Sequence, residues 1–189
     1  MSSRLKQFFS ENFAISQEEI KDIVSYFSLI KTTKDQILVN CGDTCRYFYF
    51  IEKGGVKACF INSGGQETIR HVSFENQFIS SIHSFIEQSP SNEYLSTIEP
   101  SHLWAISNSD FKLALNKYSS FKDFYIQLLE KTYTYNHWRL ETFLRLDAKQ
   151  RYEYLLKNKK QLVWRLSNKN LAAYMGITQE SLSRIKAKR

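Results

Sequence analysis

Apolar positions along the chain change their period twice. Ser16 followed by Glu19 is a capping-box pattern, and Ile20, Val24 and Phe27 then recur on one helical face, so residues 1–30 are predicted to be helical. From Gln36 the period drops toward two. Segments near 36–40, 46–52, 55–62, 67–73, 94–99 and 103–107 are short, rich in Ile, Val, Phe and Tyr, and often alternating. Turn signals separate them: Cys41-Gly42-Asp43, Lys53-Gly54-Gly55, Asn62-Ser63-Gly64-Gly65 and Ser89-Pro90-Ser91-Asn92. Strands at this spacing predict a compact β barrel or jelly roll. Residues 77–85 read as a short helix or loop that interrupts it and can shape a pocket.

From Ser109 the helical period returns. A short helix is predicted near 109–117, a long one over 120–146 and a further one near 147–157, which leads through 162–166 to the chain's last segment. The long helix carries Phe121, Phe124, Tyr125, Leu128, Leu129, Tyr135 and Trp138 as a broad apolar stripe. Such a stripe either pairs with its twin in a dimer or packs on the chain's own barrel.

The last segment, LSNKNLAAYMGITQESLSRI over 166–185, reads as two short helices joined by a tight turn. Ser167 precedes a helix in which Leu171, Ala172 and Met175 share a face. Gly176 supplies the residue able to take positive φ at its end. Thr178 caps a second helix, in which Leu182 and Ile185 turn inward while Gln179, Glu180, Ser183 and Arg184 turn outward. This is helix-turn-helix spacing. The outward side chains suit a DNA major groove: Arg donates twice to guanine, Gln pairs with adenine, and Glu accepts from the cytosine amino group. An ordinary helical hairpin would share the Ala and Gly contacts. Dimeric reading of two half-sites is the usual mode of such motifs, which favours the dimer reading of the long helix.

Charge strengthens the nucleic-acid reading. Residues 147–189 hold eleven Lys or Arg against Asp147, Glu153 and Glu180, a net +8; the whole chain is +7, leaving −1 for residues 1–146. The basic excess therefore lies wholly in the segment with the motif, as phosphate neutralisation requires. At 189 residues with 42% hydrophobic content, two prolines and six glycines, the chain suits two folded domains rather than disorder. The opening MSSRLKQFFSENF lacks an apolar core and cleavage site, and no apolar run approaches the ~20 residues that span a bilayer. Cys41, Cys45 and Cys59 form an odd set without a CxxC pair, so a reduced, cytoplasmic setting is expected, with no metal site and no cofactor.

The order β barrel, long helix, helix-turn-helix resembles the Crp-Fnr family of bacterial transcription regulators over nearly the whole chain. Gly42-Asp43, Lys53-Gly54-Gly55-Val56 and the turn at 64–67 look like the family's sensor-domain turns. Ala172…Gly176-Ile177-Thr178-Gln179-Glu180-Ser181-Leu182-Ser183-Arg184-Ile185 is similar to its recognition motif. AAYMGITQESLSRIK looks like the subgroup common in Bacteroidetes. The resemblance implies an α+β chain: a cyclic-nucleotide-binding-like jelly-roll domain over 1–119, a dimerisation helix over 120–146 and a helix-turn-helix or winged-helix domain over 147–189. It also implies that Gln179, Glu180 and Arg184 read bases while Thr178 and Ser183 meet the backbone or orient the helix. Lys169 and Lys186 complete the expected DNA-binding set. Phe121, Phe124, Tyr125, Leu128, Tyr135 and Trp138 form the expected dimer interface. Expected partners are double-stranded DNA, a second copy of the chain, RNA polymerase and an unidentified small-molecule effector, with no membrane.

One departure is informative. Members that bind cyclic AMP carry Gly-Glu-Leu and, some ten residues on, Arg-Ser or Arg-Thr; the Glu holds the ribose and the Arg the cyclic phosphate. Here Ser81 stands in the Glu position, Pro90-Ser91-Asn92-Glu93 follows, and no Arg occurs between Arg70 and Arg139. A cyclic phosphate beside Glu93 would be poorly compensated. The effector is therefore expected to be something other than cyclic AMP, or absent, with Phe78, Ser80, Ser81, Ile82 and Asn92 as the candidate pocket. The family's N-terminal cysteine cluster is missing too, which argues against its iron–sulfur variant.

His71, His83, His102 and His137 are scattered and form no His-x-His cluster, and no G-x-S-x-G, Walker lysine or H-E-x-x-H occurs, so no enzymatic activity is expected. Trp104 and Trp164 are expected in cores and Trp138 at an interface. The leading expectation is a sequence-specific DNA-binding regulator. A ligand-binding or protein-interaction module whose motif no longer reads DNA is the alternative, and a cupin-like enzyme with a helical tail the weakest reading.

Overall fold

The computed structural model describes residues 4–188. Met1–Ser3 of the opening segment, and Arg189 in the basic count, lie outside the described residues. Two helices open the chain, α1 (Arg4–Asn12) and α2 (Gln17–Ser25). The predicted capping box forms: Ser16 accepts from the Glu19 amide at 3.2 Å, and the Glu19 carboxylate accepts from the Ser16 amide at 3.3 Å. Helix was expected to continue to residue 30, but β1 (Phe27–Thr32) begins there. Phe27 continues the helical spacing from Ile20 by coincidence. What decides the conformation is antiparallel pairing with residues 101–106, from Phe27↔Ile106 to Thr32↔Ser101.

The remaining strands are β2 (Ile37–Val39), β3 (Tyr47–Lys53), β4 (Val56–Ile61), β5 (Glu67–Ser73), β6 (Phe78–Ile79), β7 (Tyr94–Thr97) and β8 (Ser101–Ser107). They form two four-stranded sheets, ordered β1-β8-β3-β6 and β2-β7-β4-β5. Gly54, in the turn between β3 and β4, has φ 97°, and a Cβ there would collide with Ser101. The interruption at 77–85 contains β6, paired to β3 through Phe50↔Phe78, and the first half of α3 (Ile82–Glu87). Helices α4 (Asn108–Lys117), α5 (Ser119–Arg145), α6 (Ala148–Asn158), α7 (Lys160–Arg165), α8 (Asn168–Met175) and α9 (Gln179–Ala187) complete the chain.

The chain forms two compact units. One runs to Ala58 and resumes over Val72–Leu128; the other comprises Cys59–His71 and the chain from Leu129. The first unit is built on phenylalanine. Phe78 stacks on Phe48 with centroids 5.4 Å apart and meets Phe50 and Phe124 at 5.0 Å, while Phe9 meets Phe124 at 5.2 Å. Such pairs add ~0.5–1.5 kcal/mol each beyond area burial. Phe121 and Phe124, expected at a dimer interface, are fully buried in this core and cannot reach a partner. The sandwich needs a cover for its apolar side chains, and α1 with the first turns of α5 provides it.

The second unit has a smaller core, with Tyr152, Leu155, Leu162, Leu166, Leu171, Tyr174, Met175 and Leu182 buried. Asp147 caps α6, accepting from the Gln150 amide at 2.9 Å. Trp164, expected in a core, is 75% exposed on α7. A six-residue helix buries only Leu162 and leaves the rest of its surface to solvent. The expected winged element has no counterpart among the described residues: no strand follows Ser107, and 160–165 is helical. No helix among the described residues is long and apolar enough to cross a membrane.

Candidate nucleic-acid interface

Helix α8 starts at Ser167, whose hydroxyl accepts from the Asn170 amide at 3.2 Å, and ends at Gly176, with φ 67° and ψ 35°. The Ile177 amide returns to the Ala172 carbonyl at 3.0 Å and the Gly176 amide to Ala173 at 3.4 Å, a Schellman closure that satisfies two terminal carbonyls. Cβ is excluded at Gly176 for a second reason: it would lie 2.9 Å from Phe143 Cε1. Thr178 then caps α9 by accepting from the Ser181 amide at 3.2 Å.

On α9 Leu182 is buried, Ile185 and Lys186 are half-buried, and Gln179, Glu180, Ser183 and Arg184 are exposed. The structure thus brings four predicted base- and backbone-contacting residues onto one solvent face. Two others in the set have local duties. Lys186 Nζ donates to Asn168 Oδ1 at 2.6 Å, tying α9 to the start of α8, and the Thr178 hydroxyl donates to Ser181 Oγ at 3.2 Å. Lys169 is exposed on the first turn of α8. The Glu180 carboxyl is held below its ordinary range, first by its own backbone N–H and then by the Thr178 hydroxyl. It remains an ionised acceptor.

Residue pattern alone did not reveal what orients α8. Arg139, on α5, donates to the carbonyls of Tyr174 at 2.7 Å and Ile69 at 2.6 Å, and its guanidinium lies 3.9 Å from the Tyr174 ring centroid. A cation at a helix C-terminus takes up carbonyls that the helix leaves unpaired. The Tyr135 and Tyr174 hydroxyls share a 2.6 Å hydrogen bond, and His71 meets the Tyr135 ring edge-on at 4.7 Å. Burial, chiefly, with Arg70, Arg139 and Lys159 nearby, lowers the His71 pKa to about 3, so the ring is neutral. Burial likewise pushes the Tyr135 phenol up. The available signal was an arginine within the apolar stripe of a long helix. Tyr135 and Trp138, expected at a dimer interface, are half-buried in this unit, where Trp138 stacks on Tyr154 at 5.4 Å. Tyr125 and Leu128 pack partly against the first unit's core.

The candidate effector residues fare differently. Phe78 faces the aromatic core, Ile82 is half-buried and Asn92 is exposed. Ser80 and Ser81 are buried, and their hydroxyls bond within the fold. Ser80 Oγ donates to the Tyr47 carbonyl at 3.0 Å, and Ser81 Oγ shares a 2.9 Å bond with Ser91 Oγ, which donates to the Glu93 carbonyl at 2.8 Å. A serine network thus occupies the segment where the resemblance places a nucleotide.

Residues 29–118 match the family described as cyclic nucleotide-binding domain. No curated protein sequence matches the chain. Solved structures do. The c-di-GMP responsive global regulator CLP of Xanthomonas campestris is 17% identical over 92% of this chain and 91% of its own, with a TM-score of 0.74. FixK2 of Bradyrhizobium japonicum is 16% identical over 86% and 83%, at 0.73, and the catabolite activator protein of Thermus thermophilus 19% identical over 93% and 84%, at 0.60. At these identities the fold is what is shared: a cyclic-nucleotide-binding β sandwich followed by helices.

Proposed function

We propose that the chain is a sequence-specific DNA-binding transcription regulator of Crp-Fnr type, acting as a homodimer on a palindromic site. The observation that carries this reading is α9 itself. Gln179, Glu180, Ser183 and Arg184 are exposed opposite the buried Leu182, on a helix fixed by the Gly176 turn and the Thr178 cap. It ends a segment of net +8 in a chain of net +7. In this reading 1–119 is the sensor domain, 120–146 the dimerisation helix and 147–189 the DNA-binding domain.

The dimer seam is reassigned within α5. Ile126, Leu129, Tyr133 and Leu140 are exposed, Tyr133 by 75% and Leu140 by 58%, and with Asn136 they alternate three and four apart. That is an a/d seam with one polar position, the pattern that pairs two helices and fixes their register. Cyclic AMP is not the effector in this reading: no arginine lies between Arg70 and Arg139, and Ser81 is bonded to Ser91.

Selection of bound duplexes from a random pool at two salt concentrations tests the proposal. A palindrome with half-sites one helical turn apart, weakening steeply with salt, is expected. Arg184→Ala should relax selection at one base position at a cost of ~1–3 kcal/mol. Failure to enrich any sequence, with binding insensitive to salt, would return the chain to a ligand-binding or protein-interaction module.

A further inference from the structure

The second unit contains a pocket of about 270 Å³ whose lining comes from α5, α6 and α8. Its walls include the rings of Trp138, Phe143, Tyr154 and Tyr174, and its only charged lining residues are Arg139 and Arg151. No carboxylate lines it. Phe143 lies over both guanidiniums, 5.0 Å from that of Arg139 and 4.8 Å from that of Arg151.

Two donors here are buried without a hydrogen-bond partner, Trp138 Nε1 and Arg151 Nε. Each such donor costs ~1–3 kcal/mol in a folded protein, so two lining one pocket call for an explanation. Arg139 differs, since the carbonyls of Ile69 and Tyr174 take its guanidinium. Arg151 gives Nη1 to the Leu146 carbonyl at 2.6 Å and keeps Nε free. The nearest acid acting on Arg151 is Asp147, whose carboxylate already accepts from the Gln150 amide. Burial and Arg139 pull the Arg151 pKa down while Asp147 holds it up, and a guanidinium remains charged throughout.

We propose that this pocket binds a small planar aromatic carboxylate, its ring between the aromatic walls and its two oxygens taking the free N–H groups of Arg151 and Trp138. Three features select this class. The lining is cationic and without acids, so the ligand is an anion. The aromatic walls favour a flat apolar body over a bare inorganic anion. The volume falls below the ~300–1,000 Å³ of drug-sized sites, which suits a one-ring acid. Both donors are shielded as they stand, so a ligand reaches them by displacing the Phe143 ring, which is more than a third exposed. The site is separate from residues 78–93 and does not depend on α9 reading DNA.

Benzoate is the probe. The full chain carrying Trp104→Phe and Trp164→Phe leaves Trp138 as its sole indole, so its fluorescence reports the pocket. Saturable quenching by benzoate is expected, matched by calorimetry on the unmodified chain. Benzyl alcohol, which keeps the ring without the charge, and inorganic phosphate, which keeps charge without the ring, should each bind at least about tenfold more weakly. Arg151→Met should cost the same factor. Because that change also removes the bond to Leu146, Thr142→Ile provides a second variant that fills the pocket and leaves both donors in place; it should weaken benzoate equally. Absence of saturable benzoate binding overturns the proposal. Equal binding of either control compound, or unchanged affinity in Thr142→Ile, does so as well.

Discussion

Replacing Gly176 with alanine tests the turn between α8 and α9 in two ways at once. The residue sits at φ 67° and ψ 35°, and a left-handed conformation costs an L-residue ~1–2 kcal/mol. Alanine also stiffens the unfolded chain, which offsets ~0.4–1 kcal/mol, so the backbone alone predicts a loss of about 1 kcal/mol. The added Cβ would stand 2.9 Å from Phe143 Cε1, a ring held over Arg139 and Arg151, and overpacking of this kind costs ~1–3 kcal/mol. The expected total is ~2–3 kcal/mol, read from urea denaturation followed by Trp138 emission. A double-mutant cycle separates the two parts. In a Phe143→Ala background the contact is gone, and Gly176→Ala should cost only its backbone share of about 1 kcal/mol. Equal cost in both backgrounds would refute the contact; no cost in either would refute the left-handed turn.

Two further predictions concern the rest of the molecule. His71 is neutral in the fold with a pKa lowered to about 3, whereas the unfolded chain has about 6.5. Its contribution is therefore complete above pH ~6.5 and lost as pH falls toward 3; at pH 5 the loss is ~1–2 kcal/mol. Urea midpoints at pH 7.5 and pH 5 should show it, and His71→Gln should flatten the difference; an unflattened difference would place the titration elsewhere. Leu140→Glu, on the exposed face of α5, should convert a dimer to monomers in sedimentation while leaving the monomer's helicity intact. Phe121→Ala should instead cost ~3–5 kcal/mol of stability without a specific effect on association, and the reverse pattern would restore the original interface assignment.

How far the sequence reached can be argued from α5. Its apolar residues are numerous enough to predict a helix, and the helix is there from Ser119 to Arg145. They do not form one stripe, however. Phe121, Phe124, Tyr125 and Leu128 face the first unit's core, while Ile126, Leu129, Tyr133 and Leu140 are exposed. Periodicity reports that a face is apolar and is silent on what covers it, so the inward face was assigned to a partner. The missed strand β1 has a related cause, because Ile20, Val24 and Phe27 keep helical spacing across a boundary set by pairing with β8. Local chemistry was more legible. The Ser16–Glu19 box, the Gly176 turn and the Thr178 cap depend on residues within four positions of one another, and all three formed. Trp164 is the opposite case, a large apolar residue on a helix too short to bury it.

The orientation of α8 rests on few groups, because the second unit's core is small. Arg139 takes the carbonyl at the end of α8 and covers the face of Tyr174, and Tyr135 holds the Tyr174 hydroxyl. Phe143, one turn further along α5, blocks any side chain at Gly176 and at the same time covers the guanidiniums of Arg139 and Arg151. One ring is thus in contact with the turn that sets α9 and with the cations that line the pocket. A ligand that moves Phe143 must either leave a void beside Gly176 or let the turn follow. Interiors packed to native density transmit such shifts rather than absorb them. The proposed carboxylate site and the proposed reading helix therefore share a mechanical contact even though neither was inferred from the other. If both hold, benzoate binding and DNA binding should be coupled by the same factor in each direction, as linkage requires.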